Sequence, residues 1–340
     1  MTLLLSAEQI AGLIGDVDVT EAVEAVFTDL GSGEMTQPAP VTLTGADDGI
    51  FLPMVARSDR LGLVAVKLMA DIPQNAGRGL PTQRSTILVS SVLTGECVAV
   101  LDGGIITRLR TAAASAVATR QLARRDSRVL GLIGAGNLAT EHVRALRAVS
   151  SLSEVIVWSR SAATVERFLH SLDSDIRGTT VVAENPQTVA ENCDVLCTLT
   201  PSVEPIVRGA WLQAGQHVNA VGARPRPTHR ELDGAAMAAG TLFVDSAATA
   251  RAKSGDLLQA IADGSLSVET PLRELGDVMA RTATGRTSRD EITVFDSVGL
   301  AAQDLAVAAR LIDLARLRGA GSDIHLSAAA LASTVAAVTV

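Results

Sequence analysis

The chain has 340 residues and a formal net charge of -8, with 47% hydrophobic and 19% charged residues. This length exceeds the usual size of one hydrophobic core, so we expect two domains, and the apolar content excludes a disordered chain. Aromatic residues make up only 2% and tyrosine is absent. We expect no nucleic-acid partner, because base stacking needs aromatic side chains and phosphate binding needs a basic surface.

No run of about 18 uninterrupted apolar residues occurs, and the first residues lack the positive charge of a secretory signal. We therefore expect no membrane partner and a cytoplasmic location. The three cysteines, Cys97, Cys193 and Cys197, fit reduced core thiols better than a disulfide framework. No histidine or acidic cluster accompanies them, so no metal site is predicted.

The amino-terminal third predicts a helix over residues 7–30, followed by a sheet with hairpin-like connections. Its strand-like segments are GIFLPMVA, GLVAVKLMA and STILVSSV, and the turn-forming stretches PQNAGRGLP and LTGE follow the second and third. The segment TRLRTAAASAVATRQLARR then predicts a helix that ends at Asp126 and Ser127.

From Arg128 onward, short apolar runs alternate with helical stretches; the runs are RVLGLIG, EVIVWS, CDVLCTLT, HVNAVGA and TLFVDS. This alternation is typical of a parallel sheet covered on both faces, so the predicted fold class is α/β, with a Rossmann-type doubly wound parallel sheet. A last helical stretch after Ser297 is expected to pack against the amino-terminal part. The predicted domains are residues 121–304 and a discontinuous α+β domain of residues 1–120 and 305–340.

A glycine-rich turn follows the first of these runs. In VLGLIGAGNLATEHVRAL the spacing is Gly134-x-Gly136-x-x-Ala139, between a strand and a helix, as in a dinucleotide-binding fingerprint. We expect a pyrophosphate to meet the backbone N–H groups that begin the helix. A tight turn without a ligand is the alternative.

The second run, EVIVWS, is not followed by the acidic residue that would bind the ribose hydroxyls of NAD. Ser159, Arg160 and Ser161 occupy that place, and a cation with hydroxyls suits the 2′-phosphate of NADP. NADP(H) is therefore favoured over NAD(H). The alternative is that Arg160 is a solvated residue at the start of a helix.

Two cations outside this domain have unusual surroundings. Lys67 lies within the apolar segment GLVAVKLMA, and Arg110 lies near the start of the alanine-rich helix. Burying a lysine costs free energy unless an anionic or electron-rich group meets it, which indicates a functional role. A lysine on an edge strand whose ammonium group reaches solvent is the alternative.

At this point the chain resembles the ornithine cyclodeaminase and mu-crystallin family. The matching segments are VKLMADIPQNAGRGLPT, the TGE and LDG turns, TRLRTAAASAVATRQLARRDSRVLGLIGAGN, DSAATARAKSGDL and GRTSRDEITVFDSVGLAAQDLA. The resemblance implies a homodimer with a substrate-binding and dimerisation domain beside the Rossmann domain. It also implies an NAD(P)H-dependent oxidoreductase that acts on the C–N bond of a small imine or amino acid.

By position, the resemblance implies that Lys67 is catalytic and that Lys67 and Arg110 bind the substrate carboxylate. The positions expected to contact the cofactor are Thr111, Gly134, Ala135, Gly136, Asn137, Leu138, Ser159, Arg160, Thr198, Thr200, Val221, Ser297, Val298 and Gly299. For Thr198 and Thr200, ordinary threonines at a strand end are the alternative.

Two departures from the family pattern bear on the substrate. Pro40, in TQPAPVTL, stands where the family usually has a second carboxylate-binding arginine. Candidate replacements for that contact are Arg57, Arg78 and Arg84. Arg224, in VGARPRPTHREL, stands where cyclodeaminases carry an aspartate for the side-chain amine. Arg224 is a candidate for binding the substrate carboxylate, as is Arg226; the alternative is that both point to solvent.

The favoured function is reduction of a ketimine or cyclic imine carboxylate. Alternatives are a cyclodeaminase acting on a diamino acid, an alanine- or opine-type dehydrogenase, and a non-catalytic protein that keeps the nucleotide site. Arg224 disfavours the cyclodeaminase, because a cation there would repel a second ammonium group. Of the remaining polar residues, His142 is expected to pack between helices, and Arg230 and Glu231 are expected to cap or pair at the next helix start.

Overall fold

The computed structural model describes residues 1–45 and 48–326. The chain divides into two compact units, one formed by Met1–Arg110 with the chain from Leu300 onward, and the other by Thr111–Gly299. Each unit is built on its own eight-stranded sheet. Within the described ranges, no helix combines the length and the apolar character needed to cross a membrane.

The first unit begins with a short strand and two helices, and then forms most of its sheet. Its elements are β1 (Thr2–Leu5), α1 (Ala7–Leu13), a 3-10 turn (Ile14–Asp16), α2 (Val19–Ser32), β2 (Met35–Thr36), β3 (Leu43–Thr44), β4 (Ile50–Ser58), β5 (Leu63–Asp71), a 3-10 turn (Pro73–Arg78), β6 (Gln83–Ser91), β7 (Cys97–Asp102) and α3 (Gly104–Leu122), which continues into the second unit.

The single helix predicted over residues 7–30 is wrong, because α1 and α2 are separated by a 3-10 turn. The Asp18 side chain accepts a hydrogen bond from the Glu21 backbone N–H at 2.8 Å, and this N-cap starts α2 as a new helix. The apolar spacing continues across the break, so periodicity alone does not reveal it.

Strands β4 to β7 form the predicted hairpin-connected sheet, and β5 lies between β4 and β6. In the antiparallel register Lys67 is opposite Met54 on one side and Ile87 on the other. Because side chains alternate along a strand, Lys67 points to the covered face, whereas Val66 and Leu68 are exposed on the other face. Lys67 therefore lies on an interior strand, which excludes the edge-strand alternative.

The second unit alternates strands with helices. Its elements are β8 (Val129–Ile133), α4 (Asn137–Val149), β9 (Glu154–Trp158), α5 (Ala162–Ser171), α6 (Ser174–Gly178), β10 (Thr180–Val182), α7 (Pro186–Glu191), β11 (Val195–Thr198), a 3-10 turn (Gly209–Trp211), β12 (His217–Ala220), α8 (Gly234–Ala238), β13 (Thr241–Val244), α9 (Ala247–Lys253), α10 (Gly255–Ala262), β14 (Arg273–Glu274), α11 (Leu275–Met279) and β15 (Thr293–Asp296).

The strands of this unit are all parallel, in the order β10-β9-β8-β11-β12-β15-β13-β14. From β8 the chain first builds outward through β9 and β10, and then returns to place β11 on the opposite side of β8. In open parallel sheets, ligands bind at the carboxyl ends of the strands beside such a reversal. The predicted fold class, α/β with a Rossmann-type parallel sheet, is confirmed.

The chain then returns to the first unit through α12 (Ala301–Arg318) and β16 (Ser322–Ile324). Helix α12 is the helical stretch expected after Ser297, and it packs against α2, β4 and β5. Strand β16 pairs antiparallel with β1. This return places the first turn of α12 over the covered face of the sheet that carries Lys67.

Candidate functional site

The glycine-rich turn joins β8 to α4 in the second unit. Gly134 has a φ of +112°, and a Cβ atom there would lie 2.7 Å from the Leu199 carbonyl oxygen. Its backbone N–H donates to the Trp158 carbonyl oxygen at 2.8 Å, which ties the end of β8 to the end of β9. Only glycine fits this position, because both the dihedral angle and the neighbouring backbone exclude a side chain.

Gly136 is the N-cap of α4, and no side chain caps the first turn of this helix. A Cβ atom at Gly136 would meet no atom within 4 Å, so the backbone borders open space there. Asn137 and Leu138 begin the helix, while Ala135 and Ala139 are buried. An uncapped helix start beside open space fits the pyrophosphate of a dinucleotide, because backbone N–H groups and the helix dipole both favour an anion.

The segment after β9 carries no carboxylate. Ser159 is half-buried and Arg160 is exposed, directly after the last residue of the strand. Ser161 is the N-cap of α5 and accepts a hydrogen bond from the Thr164 backbone N–H at 3.3 Å. Of the three residues, Ser161 thus caps the helix, and the charged group of Arg160 is exposed to solvent.

The ends of β11 and β12 are tied together by one carboxylate, that of Glu231. Its Oε1 accepts hydrogen bonds from the Thr200 backbone N–H at 2.6 Å and from the Thr200 hydroxyl at 2.8 Å. Its Oε2 accepts from the Gly222 backbone N–H at 2.8 Å. The predicted cofactor positions Thr198 and Val221 lie on the same two strand ends, so Glu231 sets the shape of that edge.

The expectation of a cap or pair at the next helix start was wrong for Glu231, whereas Arg230 does form an ion pair near that helix start. Asp233, not Glu231, is the N-cap of the next helix, α8. Arg230 pairs with Asp263 at 3.3 Å. Glu231 instead turns inward and is fully buried, and the sequence offers no local signal for this, because its partners precede it by up to 31 residues.

A second buried carboxylate, that of Asp256, holds the backbone at Glu231. Asp256 Oδ1 accepts hydrogen bonds from the backbone N–H groups of Glu231 and Leu232, at 2.8 and 2.7 Å. Burial, with the nearby Asp256 charge, raises the pKa of Glu231 to about 7. Burial also raises the pKa of Asp256, to about 6. Both carboxyl groups therefore titrate near neutral pH.

The segment of residues 297–299, which follows β15, is held by Asp245 at the end of the neighbouring strand β13. Asp245 Oδ2 accepts hydrogen bonds from the Ser297 hydroxyl at 3.1 Å and from the Gly299 backbone N–H at 2.6 Å. Val298 lies between these two anchored residues. The three predicted cofactor positions of this segment thus share one fixed conformation.

The remaining predicted residues of the second unit lie on α3 and in the segment after β12. Thr111 is half-buried on α3, immediately after Arg110. Arg224 and Arg226 are half-buried in the segment between β12 and α8. These two arginines belong to the second unit, whereas Lys67 and Arg110 belong to the first.

In the first unit, the side chains of Lys67 and Arg110 both contact the carboxylate of Asp304, on α12. Asp304 Oδ1 is 2.9 Å from Lys67 Nζ and 3.4 Å from Arg110 Nε. Lys67 also donates to the Thr107 hydroxyl at 2.7 Å. The side chain of Lys67 is 1% exposed, that of Arg110 is 7% exposed and that of Asp304 is fully buried. We call Lys67, Thr107, Arg110 and Asp304 the cationic centre.

Burial dominates the protonation of Lys67 and lowers its pKa from 10.5 to about 8. The Asp304 carboxylate acts in the opposite direction and raises the pKa, while the neighbouring Arg110 charge lowers it. A lysine with this pKa holds a proton at neutral pH and can also release it, as a general acid or base must.

Gln303, in the first turn of α12, contacts the Arg110 end of the centre. Arg110 Nη1 donates to Gln303 Oε1 at 3.0 Å, and Gln303 is fully buried. Gln37 Oε1 accepts from the Ala302 backbone N–H at 2.9 Å, at the start of α12. Pro40 is buried. Arg110 thus contacts one neutral amide, that of Gln303, as well as the Asp304 carboxylate.

The arginines considered as replacements at Pro40 do not lie in this buried centre. Arg57 is exposed and pairs with Asp59 at 2.5 Å. Arg78 and Arg84 are exposed as well. The structure therefore does not bring any of the three to Lys67.

Three residues given structural roles by the sequence, one histidine and two cysteines, have such roles. His142 is fully buried, with Nδ1 2.9 Å from the Leu138 carbonyl oxygen and Nε2 2.9 Å from the Ser115 hydroxyl, so it packs between α4 and α3. Burial lowers the pKa of His142 to about 4. Cys193 and Cys197 are buried free thiols, and burial raises the pKa of both. Within the described ranges, no cluster of His, Cys, Asp or Glu is arranged to hold a metal ion.

Comparison with known proteins identifies the family of the chain. The ornithine cyclodeaminase/mu-crystallin family model matches residues 1–317. The ketimine reductase mu-crystallin of Rattus norvegicus is 35% identical over 293 residues, which cover 86% of this chain and 89% of that protein.

Two solved structures share the fold over nearly their whole length. The Δ1-pyrroline-2-carboxylate reductase of Thermococcus litoralis, in complex with NADH and L-proline, has a TM-score of 0.89 and 31% identity, and covers 95% of this chain and 100% of that one. An archaeal alanine dehydrogenase dimer with bound NAD has a TM-score of 0.90 and 33% identity, and covers 96% and 99%. The chain belongs to the ornithine cyclodeaminase/mu-crystallin family.

Proposed function

We propose that this chain is an NAD(P)H-dependent oxidoreductase that reduces the C=N bond of a small imino acid, a ketimine or a cyclic imine carboxylate. The cationic centre is the observation that carries the proposal. Lys67 and Arg110 face the single carboxylate of Asp304, so two positive charges meet one negative charge. A buried excess charge is costly unless an anion compensates it, and a substrate carboxylate is such an anion.

Arg110 is suited to bind that carboxylate. Its Nε and Nη1 are engaged by Asp304 and Gln303, and these two bonds leave Nη2 and one N–H of Nη1 to hold a carboxylate by two hydrogen bonds. Arg224 is a second candidate for substrate binding, on the strength of its place in the loop after β12.

Lys67 is the proposed catalytic residue. Reduction of an imine needs a proton on nitrogen as well as a hydride on carbon, and bound NAD(P)H supplies the hydride. The Lys67 ammonium group holds a proton that can pass to the imine nitrogen of the substrate. The neutral Lys67 side chain then recovers a proton from solvent. A pKa of about 8 allows both states of Lys67 near neutral pH.

The second unit is proposed to bind the cofactor along the carboxyl ends of its strands. The proposed contacts are Thr111, Gly134, Ala135, Gly136, Asn137, Leu138, Ser159, Arg160, Thr198, Thr200, Val221, Ser297, Val298 and Gly299. NADP(H) is the favoured form, because Arg160 is exposed at the end of β9 and no carboxylate follows that strand to repel a 2′-phosphate.

Substrate binding and dimerisation are proposed for residues 1–120 and 305–340, and cofactor binding for residues 121–304. The sheet of the first unit supports a homodimer, because its outer face exposes a group of apolar side chains. Phe51, Val66, Leu68 and Leu88, on β4 to β6, are 36–47% exposed. Exposed apolar faces of this kind mark interfaces, and the related archaeal alanine dehydrogenase is a dimer.

A steady-state screen tests the proposed reaction. Oxidation of NADH and NADPH at 340 nm is followed with Δ1-pyrroline-2-carboxylate, Δ1-piperideine-2-carboxylate, and pyruvate with ammonia. We expect turnover of an imine carboxylate, and a loss of about 100-fold or more in Lys67→Ala. Lys253→Ala is the matched control, because Lys253 is the only other lysine of the chain.

Undiminished reduction by Lys67→Ala would remove Lys67 from the mechanism. Release of ammonia from ornithine without net cofactor turnover would identify a cyclodeaminase instead. Turnover confined to pyruvate with ammonia would identify an alanine dehydrogenase.

A further inference from the structure

Asp304 is the member of the cationic centre with no exposed surface. A carboxylate in that position acts on a substrate through the groups it holds, which are the Lys67 ammonium and the Arg110 guanidinium. We propose that Asp304 is a positioning residue, whose Oδ1 fixes the direction of Lys67 toward the substrate nitrogen and holds Arg110 beside it. This inference rests on the function proposed above.

The hydrogen bonds leave Lys67 little freedom. An ammonium group has three N–H donors, and Thr107 Oγ1 and Asp304 Oδ1 take two of them, at 2.7 and 2.9 Å. The neighbours of Lys67 across the sheet, Met54 and Ile87, are apolar and offer no other acceptor side chain. The third N–H therefore has one defined direction, and that direction depends on Asp304.

Thr107 contacts both Lys67 and Asp304 through its hydroxyl group. Its hydroxyl accepts from Lys67 and lies 3.5 Å from Asp304 Oδ1, to which it can donate. The Ser85 hydroxyl lies 3.5 Å from the Thr107 hydroxyl. Helix α3 thus contributes the Thr107 hydroxyl and helix α12 the Asp304 carboxylate that Lys67 contacts, and Asp304 is the charged group that attracts it.

The charges that face Lys67 predict how the site responds to the loss of Asp304. Asp304 on α12 and Arg110 on α3 are the charged groups that act on it, and burial is the third influence. Of the three, only Asp304 favours the charged form of the lysine. Without this carboxylate, burial and Arg110 act together, and Lys67 loses its proton at a lower pH.

The pH dependence of imine reduction tests the inference in Asp304→Asn. Loss of a partner charge within about 4 Å shifts a titration by about one to three pH units. We expect the alkaline limb, the pH range in which kcat declines as the pH rises, to move to lower pH by that amount. We also expect KM for the imine carboxylate to rise, because Arg110 loses its hydrogen bond to Asp304. Binding of NADH, measured by fluorescence, is expected to stay unchanged. An unmoved alkaline limb in a folded Asp304→Asn variant would overturn the inference.

Asp304→Glu provides the second test, also where Asp304→Asn does not fold. It keeps the charge but displaces the carboxylate by one methylene group, so we expect the limb to stay in place while kcat falls. A kcat equal to that of the wild type would show that Asp304 does not direct Lys67.

Asp29→Asn is the matched control, because Asp29 is a buried aspartate of the same unit whose pair with Arg60, at 2.8 Å, lies outside the cationic centre. We expect it to lower the stability of the fold without moving the alkaline limb of the kcat profile. A shift of that limb as large as in Asp304→Asn would contradict a specific role for Asp304. If the wild type reduces no imine, the proposed function fails by itself, whatever the variants show.

Discussion

Glu231 holds Thr200 by two hydrogen bonds, from the backbone N–H at 2.6 Å and from the hydroxyl at 2.8 Å, across 31 residues of chain. The same carboxylate accepts a third bond from the Gly222 backbone N–H. Because Thr200 follows β11 and Gly222 follows β12, one buried side chain fixes two neighbouring strand ends at the edge where parallel sheets bind ligands.

Glu231→Gln is expected to weaken both the fold and NAD(P)H binding. A glutamine replaces one acceptor oxygen by an NH2 group, which leaves at least one buried N–H unsatisfied, at a cost of about 1–3 kcal/mol. Chemical denaturation and fluorescence titration with NADH measure the two effects. Glu204→Gln, an exposed position after β11, is the control. Equal cofactor affinity in the Glu231→Gln and Glu204→Gln variants would show that cofactor binding does not depend on the strand ends that Glu231 holds.

The stability of the chain should also depend on pH through Glu231. Its pKa is about 7 in the folded chain against an ordinary value of 4.5, so ionisation is harder in the folded state. The resulting stabilisation is fully present below pH 4.5 and is lost as the pH rises through 7. We expect the free energy of unfolding of the wild type to fall over this range, and Glu231→Gln to flatten the slope. Asp256, with its raised pKa of about 6, leaves part of the slope in place. An unchanged slope would exclude Glu231 as its origin.

The tight glycine turn after β8 and the unusual position of Lys67 could be predicted, because their signals are local. Gly134 and Gly136 stand between an apolar run and a helix, and their spacing alone places them at the end of a parallel strand. Lys67 is conspicuous because a charge interrupts an apolar strand. In both cases the neighbours in sequence are enough to mark the position as unusual.

Asp304 and Glu231 could not be predicted in the same way. Asp304 acts on Lys67 across 237 residues, and in the sequence it is one polar residue near the start of a helix. Glu231 reads as part of a polar loop, although it is buried by the return of the chain to the strand ends. Their roles follow from which elements the fold brings together, and a single sequence carries no record of that pairing.

Arg160→Ala tests the cofactor preference. The exposed guanidinium at the end of β9 would pair with a 2′-phosphate, which NADPH has and NADH lacks. We expect KM for NADPH to rise about tenfold or more, and KM for NADH to change little. Arg167→Ala, on α5, is the control for a loss of charge nearby. Equal effects of Arg160→Ala on both cofactors would contradict a preference set by this residue.

Leu68→Glu tests the homodimer. Leu68 is 47% exposed at the middle of the apolar outer face, so a carboxylate there would be buried without a partner in a dimer that uses this face. We expect light scattering after size exclusion to show a dimer for the wild type and a monomer for Leu68→Glu. The control is Leu93→Glu, at a loop leucine that is 92% exposed. A dimer that persists in Leu68→Glu would place the interface elsewhere.

The pH dependence of the two reaction directions should be opposite, because Lys67 is needed in different protonation states. Its pKa of about 8 means that the ammonium form, the proton donor in imine reduction, is lost as the pH rises through 8. Reduction is therefore expected to decline above pH 8. Oxidation of the corresponding amino acid needs the neutral amine and is expected to increase over the same range.

Initial rates in both directions, measured with saturating cofactor between pH 6 and about 10 in one buffer series, give the two limbs directly. Lys67→Arg keeps the positive charge but does not titrate in this range. It should therefore have low activity without either limb near pH 8. Limbs that move in the same direction, or that persist in Lys67→Arg, would mean that another group carries the proton.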